Sequence, residues 1–205
     1  MWNESCSGPD RTSRDRRSVR VNGRVRAFVA LQLCEELRAA VERVQDAVRR
    51  NIPGGMRWVQ PDNFHLTIRF LGDLDEAEVA KAAQVVRDTR FSAMTLRLGD
   101  VSAFPSISRP RVLWVGLESE GDRLQRFADE FERRLGEAAF PPADKPWKSH
   151  LTLGRVSGTD VPRGWNRGIS PARETYRVDT LSLMQSDLSP SGARHTPLVT
   201  VIGTD

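Results

Sequence analysis

Apolar positions follow two rhythms along this chain. Val25-Arg-Ala-Phe-Val-Ala-Leu-Gln-Leu33 is nearly continuous, apolar and β-favouring, and predicts a buried strand. From Cys34 to Arg50 the period turns helical, with Leu37, Val41, Val44 and Val48 three or four apart. Pro53-Gly54-Gly55 breaks that helix. Arg57-Trp58-Val59 reads as a short strand, Pro61-Asp62-Asn63 as a turn, and Phe64 to Leu71 as a strand ended by Gly72-Asp73. Asp75 is a natural N-cap for a helix to Arg90 that turns Val79, Ala82, Ala83 and Val86 inward. Thr95 to Phe104 alternates with Leu96, Leu98 and Val101 inward, and Gly99 marks a bulge. A loop at Pro105–Pro110 precedes the apolar strand Arg111–Leu117. Glu120 to Ala139 carries Leu124, Phe127, Phe131 and Leu135 on one helical stripe, and Pro141-Pro142 closes it. Strands are predicted at Ser149–Val156, Arg173–Met184 and Thr196–Val201, with a loop at Ser157–Pro171 and a turn at Ser189–Gly192.

The resulting order is β-α-β-β-α-β-β-α-β-loop-β-β. Strands that follow one another directly pair antiparallel, so the fold class is α+β. At 205 residues, 39% of them apolar, the chain is expected to form one domain over residues 25–205 with a core that needs no staples. Two cysteines, Cys6 and Cys34, make neither a disulfide scaffold nor a four-cysteine metal site. No run of eighteen apolar residues occurs and no apolar leader opens the chain, so no membrane association and a cytoplasmic location are expected.

Charge adds one feature. The formal net charge is +4, and residues 1–24 supply +3 of it: Arg11, Arg14, Arg16, Arg17, Arg20 and Arg24 against Glu4, Asp10 and Asp15. This segment has little to build a core from and is expected to be a disordered basic tail. The nearly neutral remainder argues against a broad duplex-binding surface, but not against a small anion held in a cleft.

The candidate chemistry lies in two histidines. Only three occur, and two sit in the same phrase: His65-Leu66-Thr67-Ile68 and His150-Leu151-Thr152-Leu153. Both phrases fall on predicted strands. Side chains i and i+2 of a strand share a face, so His65 lies beside Thr67 and His150 beside Thr152, while the leucines anchor the other face. Two such strands facing each other would present two imidazoles and two hydroxyls to one phosphate. A neutral imidazole can accept a proton from the attacking oxygen, and an imidazolium can donate one to the leaving oxygen. Histidine reaches both states near neutral pH. The hydroxyls would donate to non-bridging phosphate oxygens. No metal is required. A metal site of His65, His150 and His195 would need further ligands, and no His-x-x-x-His or Glu-x-x-His spacing supplies them.

Alternation places Arg69 on the His65 face as a further phosphate-binding candidate, and places Arg155 on the face opposite His150 in a structural role. Phe64, Trp147 and Trp58 are possible base-stacking residues, although aromatics beside strands more often fill cores.

These segments resemble the two-histidine phosphoesterase superfamily, and within it the RNA 2′,3′-cyclic phosphodiesterase (2′-5′ RNA ligase, LigT-like) family. Beyond the two tetrapeptides the resemblance takes in Arg26-Ala-Phe-Val-Ala-Leu, the flanks Arg57-Trp58-Val59 and Phe70-Leu-Gly72, and Phe104-Pro-Ser. It continues through Arg109-Pro-Arg-Val-Leu-Trp-Val-Gly116, Lys148-Ser-His150 and Leu183-Met-Gln-Ser186 with the following hairpin. His195 stands where the family often has an aromatic residue such as tyrosine, and is expected to be a hairpin histidine. The resemblance implies two similar lobes, each an antiparallel sheet with outer helices, facing across a cleft. It implies hydrolysis of RNA 2′,3′-cyclic phosphate ends, or of nucleoside 2′,3′-cyclic phosphates, to 2′-phosphomonoesters without a cofactor. His65 would then be the proton donor and His150 the base, with Thr67, Thr152 and Arg69 binding substrate, in a protein expected to be a monomer. The alternatives are 2′-5′ RNA ligation, hydrolysis of another nucleotide phosphodiester, or non-catalytic binding of RNA ends.

Overall fold

A computed structural model describes residues 23–158, 161–189 and 192–205. The tail expectation therefore lies outside the described residues except at Gly23 and Arg24. Arg24 belongs to the fold: its guanidinium donates to the Asp73 carbonyl and pairs with Glu78 at 3.1 Å.

The chain runs β1 (Val25–Gln32), α1 (Glu35–Arg50), β2 (Met56–Trp58), β3 (His65–Leu74), α2 (Glu76–Asp88), β4 (Met94–Ser106) and β5 (Arg109–Ser119). It continues through α3 (Arg123–Glu137), β6 (His150–Val156), β7 (Thr175–Val178), β8 (Thr180–Ser189) and β9 (Gly192–Ile202). Two antiparallel sheets result, with strand orders β3-β1-β8-β9 and β2-β6-β5-β4-β7. This is the two-lobed α+β arrangement expected. Helix α2 packs on β9, β8, β1 and β3, α1 on β6, and α3 on β5 and β3.

Local sequence accounts for most elements. Asp75 caps α2 through a reciprocal box, in which its side chain accepts from the Glu78 amide and Glu78 accepts from the Asp75 amide. Leu37, Ala40, Val41, Val44 and Val48 bury the inner face of α1. One continuous core joins these helices to the inner faces of both sheets, including Val29, Leu31, Leu66, Leu113, Val115, Leu151 and Leu183.

Three expectations are corrected. The loop expected at Pro105–Pro110 is mostly strand, since β4 and β5 pair out to Ser106 and Arg109, leaving a turn at Ile107-Ser108. The helix expected from Glu120 starts at Arg123, because Gly121 and Asp122 both take positive φ and form a separate 3-10 turn. The single strand expected over Arg173–Met184 is two: β7 pairs with β4 in one sheet and β8 with β1 in the other. The core-facing residues change phase between them, from Tyr176 and Val178 to Leu181 and Leu183.

Candidate active site

His65 opens β3, and His150 opens β6. The two strands belong to different sheets but are in contact. Each ring is held the same way. His65 Nδ1 lies 2.7 Å from the carbonyl oxygen of Asn63, and His150 Nδ1 lies 2.8 Å from that of Lys148. A carbonyl oxygen only accepts, so Nδ1 carries the hydrogen in both rings. Each neutral ring then keeps an acceptor at Nε2, which becomes a donor on protonation. Aromatic rings fix the orientation further. Phe28 lies 4.7 Å from the His65 ring centroid, and Phe104 meets His150 edge-on at 5.0 Å.

The threonines accompany them. Thr67 pairs with Ala30 of β1 and Thr152 with Trp114 of β5, both half-buried on the histidine faces. No described residue hydrogen-bonds to either hydroxyl. The indole N–H of Trp147 donates to the Thr67 carbonyl at 2.9 Å, tying the approach to β6 onto β3. Trp147, like Trp58, packs against the core, and Phe64 is buried in it.

At the last residue of each tetrapeptide the register slips by one, at Ile68 against β1 and at Leu153 against β5. The two slips reverse both arginine assignments. Arg69 now pairs with core-facing Val29, on the side away from His65. Its Nε lies 3.0 Å from Glu132 of α3, though outside hydrogen-bond geometry, and its terminal nitrogen donates to the Pro141 carbonyl. Phe70 pairs with Phe28 on the His65 face, 45% exposed beneath the Arg26 guanidinium. Arg155 pairs with Val112, which shares the face of Phe104, and so lies on the His150 side. Its guanidinium is exposed and has no carboxylate partner among the described residues. Arg57, paired with Arg155, shares that face.

His195 is the residue that sequence reasoning undervalues. It pairs with Ser186 on β8, one alternation along from Met184, which packs with Phe28 and Ala30. Its ring meets His65 edge-on at 5.1 Å and Phe28 at 5.0 Å. The signal for it lies in the aromatic character of this position in the resembled family.

Electrostatics favour neutral rings in the free site. Burial is the main cause that pushes His65 down to about 4, against the bond to Asn63, with the nearby His195 and His150 adding to it. His150 is also lowered, first by burial and then by the Arg155 and Lys148 charges, against its bond to the Lys148 carbonyl. Burial lowers His195, and Asp187 opposes it. Among the described residues no group of three His, Cys, Asp or Glu side chains is arranged to hold a metal ion.

Comparison with known proteins agrees with this architecture. The family model described as LigT like phosphoesterase matches residues 31–114, which include the first motif. An RNA 2′,3′-cyclic phosphodiesterase of Methanothermobacter thermautotrophicus is 32% identical over 85% of this chain and 97% of its own. A crystal structure from Thermus thermophilus superposes with a TM-score of 0.72 at 32% identity, covering 86% of this chain and 97% of that one. E. coli LigT complexed with 3′-AMP gives a TM-score of 0.69 at 26% identity, covering 89% and 99%. With its two sheets, its repeated motif and relatives that it matches along nearly their whole length, this chain belongs to the LigT-like phosphoesterase family.

Proposed function

We propose that this enzyme opens the 2′,3′-cyclic phosphate at an RNA end to a 2′-phosphomonoester by paired histidine acid–base catalysis. Water attacks phosphorus and yields a proton to Nε2 of His150. The bond from phosphorus to the 3′ oxygen breaks, and that oxygen takes the proton from Nε2 of His65. Thr67 and Thr152 donate to the non-bridging oxygens, where charge is held in the transition state. Arg155, on the His150 face and without a carboxylate partner among the described residues, is the cation of this reading in place of Arg69. Both free rings favour the neutral state, so the acid's proton is stabilised only when the phosphate anion is bound beside it.

The observation that carries this reading is the mirrored anchoring of His65 and His150, each committing Nδ1 to the carbonyl two residues upstream. The names of the relatives support the substrate class.

The test is hydrolysis of a nucleoside 2′,3′-cyclic phosphate in excess EDTA. His65→Ala and His150→Ala should each lose about 10²–10⁴-fold in kcat. An aryl-phosphate substrate whose leaving group needs no proton separates the roles: it should restore His65→Ala but not His150→Ala. Wild-type rates in either variant would overturn the mechanism. Restoration of His150→Ala alone would exchange the two roles.

A further inference from the structure

His65 is held from two sides, and one residue joins them. Asn63 ends a 3-10 turn over Pro61–Asn63, just ahead of β3. Its carbonyl accepts from His65 Nδ1 at 2.7 Å. Its side-chain amide donates to the Ala193 carbonyl of β9 at 2.8 Å. His195, next after Ala193 on the same face of β9, meets the His65 ring edge-on. Helix α1 steadies the turn, since the Arg38 guanidinium donates to the Pro61 carbonyl at 3.1 Å.

Strand pairing alone does not bring these groups together. In a flat sheet β9 would lie three strand spacings from β3, about 14 Å away. The residue of β9 in line with His65, through Gln32 and Thr180, is Ile202, at the opposite end of the strand from the hairpin that carries His195. Contact between the His65 and His195 rings therefore requires the sheet to curl, and the Asn63 amide spans that curl directly. The His150 side is built differently. Its carbonyl comes from Lys148, whose ammonium lies 4.4 Å from the ring centroid of Trp114 on β5, the strand beside β6.

Resting on the function proposed above, we infer that Asn63 is a positioning residue for the acid: its side chain holds β9 against His65, so that the ring is fixed both at Nδ1 and by His195. A ring fixed at both places has less freedom to turn Nε2 away from the leaving oxygen. Proton donation by His65 depends on that alignment, whereas activation of water at His150 does not.

The test is Asn63→Ala, with Asn63→Leu as the variant that keeps the volume and deletes the donor. On a nucleoside 2′,3′-cyclic phosphate each should lose on the order of tenfold in kcat with little change in KM. The loss should vanish on the aryl phosphate, whose leaving group needs no proton. Adding Asn63→Ala to His65→Ala should cost nothing further, because the residue acts through a ring that is gone. A wild-type kcat, an equal loss on both substrates, or a full further loss in the double variant overturns the inference while leaving the hydrolytic reading intact. If the wild type opens neither substrate, or His65→Ala keeps the wild-type rate, the hydrolytic reading fails instead, and the ring itself decides the clamp. In an NMR titration His65, faced by His195 of β9 and His150 of β6, should move in Asn63→Ala from about 4 toward the ordinary 6.5 as its burial is relieved. An unmoved titration overturns the clamp.

Discussion

His65 and His150 each give one ring nitrogen to the fold and keep the other for chemistry. Fixing Nδ1 on a backbone carbonyl costs no extra side chain and works identically in both lobes. The penalty is burial, heavier at His65, whose ionisation falls to about 4. This has a consequence for stability. Between pH 6.5 and 4 the unfolded chain binds a proton at His65 that the folded protein refuses. Stability from this residue is therefore complete above pH 6.5 and is lost as pH falls toward 4, by up to about 3 kcal/mol. Urea unfolding of the wild type and His65→Gln from about pH 7.5 to about 4.5 checks it: the wild type should lose stability more steeply on acidification. Parallel curves would show that the ring is not desolvated.

At the scale of the element, the two register slips matter most. A strand read by strict alternation sends Arg69 to the site and Arg155 away, and one extra residue in each strand reverses both. The slip in β6 has a built support. Gln45 of α1, almost fully buried, donates to the carbonyls of Leu153 and Val59, both at 2.8 Å, and the Val59 amide also donates to Leu153. Gly154 follows because a Cβ there would come within 3.0 Å of the Met56 and Trp58 side chains and 3.2 Å of the Arg57 carbonyl. Gln45→Leu keeps the volume but deprives both carbonyls of their side-chain donor. It should cost about 1–3 kcal/mol in unfolding and lower kcat through a displaced His150 strand. Thermal denaturation and steady-state rates measure the two effects. Wild-type stability would mean that the slip holds without Gln45.

Across the whole molecule, the site exists only because the two sheets are held against each other where β3 meets β6. The Trp147 indole on the Thr67 carbonyl and Arg69 beside Glu132 are among the ties that link β3 to later parts of the chain. Arg69 thus serves this alignment rather than the phosphate. Trp147→Phe keeps the ring in the core and deletes one hydrogen bond. Its expected cost is about 1 kcal/mol in stability, with a larger relative loss in kcat than in KM for the cyclic phosphate. Circular dichroism and steady-state kinetics test this. A change confined to KM would place Trp147 in substrate binding instead.

Period and punctuation along the chain determined the strands, the helices, the capped start of α2 and the shared face of each His-Leu-Thr phrase, because these follow from local backbone geometry. The split at Asp179 was also written there, in the phase change from Val178 to Leu181. Tertiary structure alone decided which sheet each strand joined, where register slipped, and that His195 would lie against His65. Those outcomes depend on pairing between residues far apart in the chain, as between Ser186 on β8 and His195 on β9 or Val29 and Arg69, and a one-residue shift in pairing exchanges the faces that local alternation assigns.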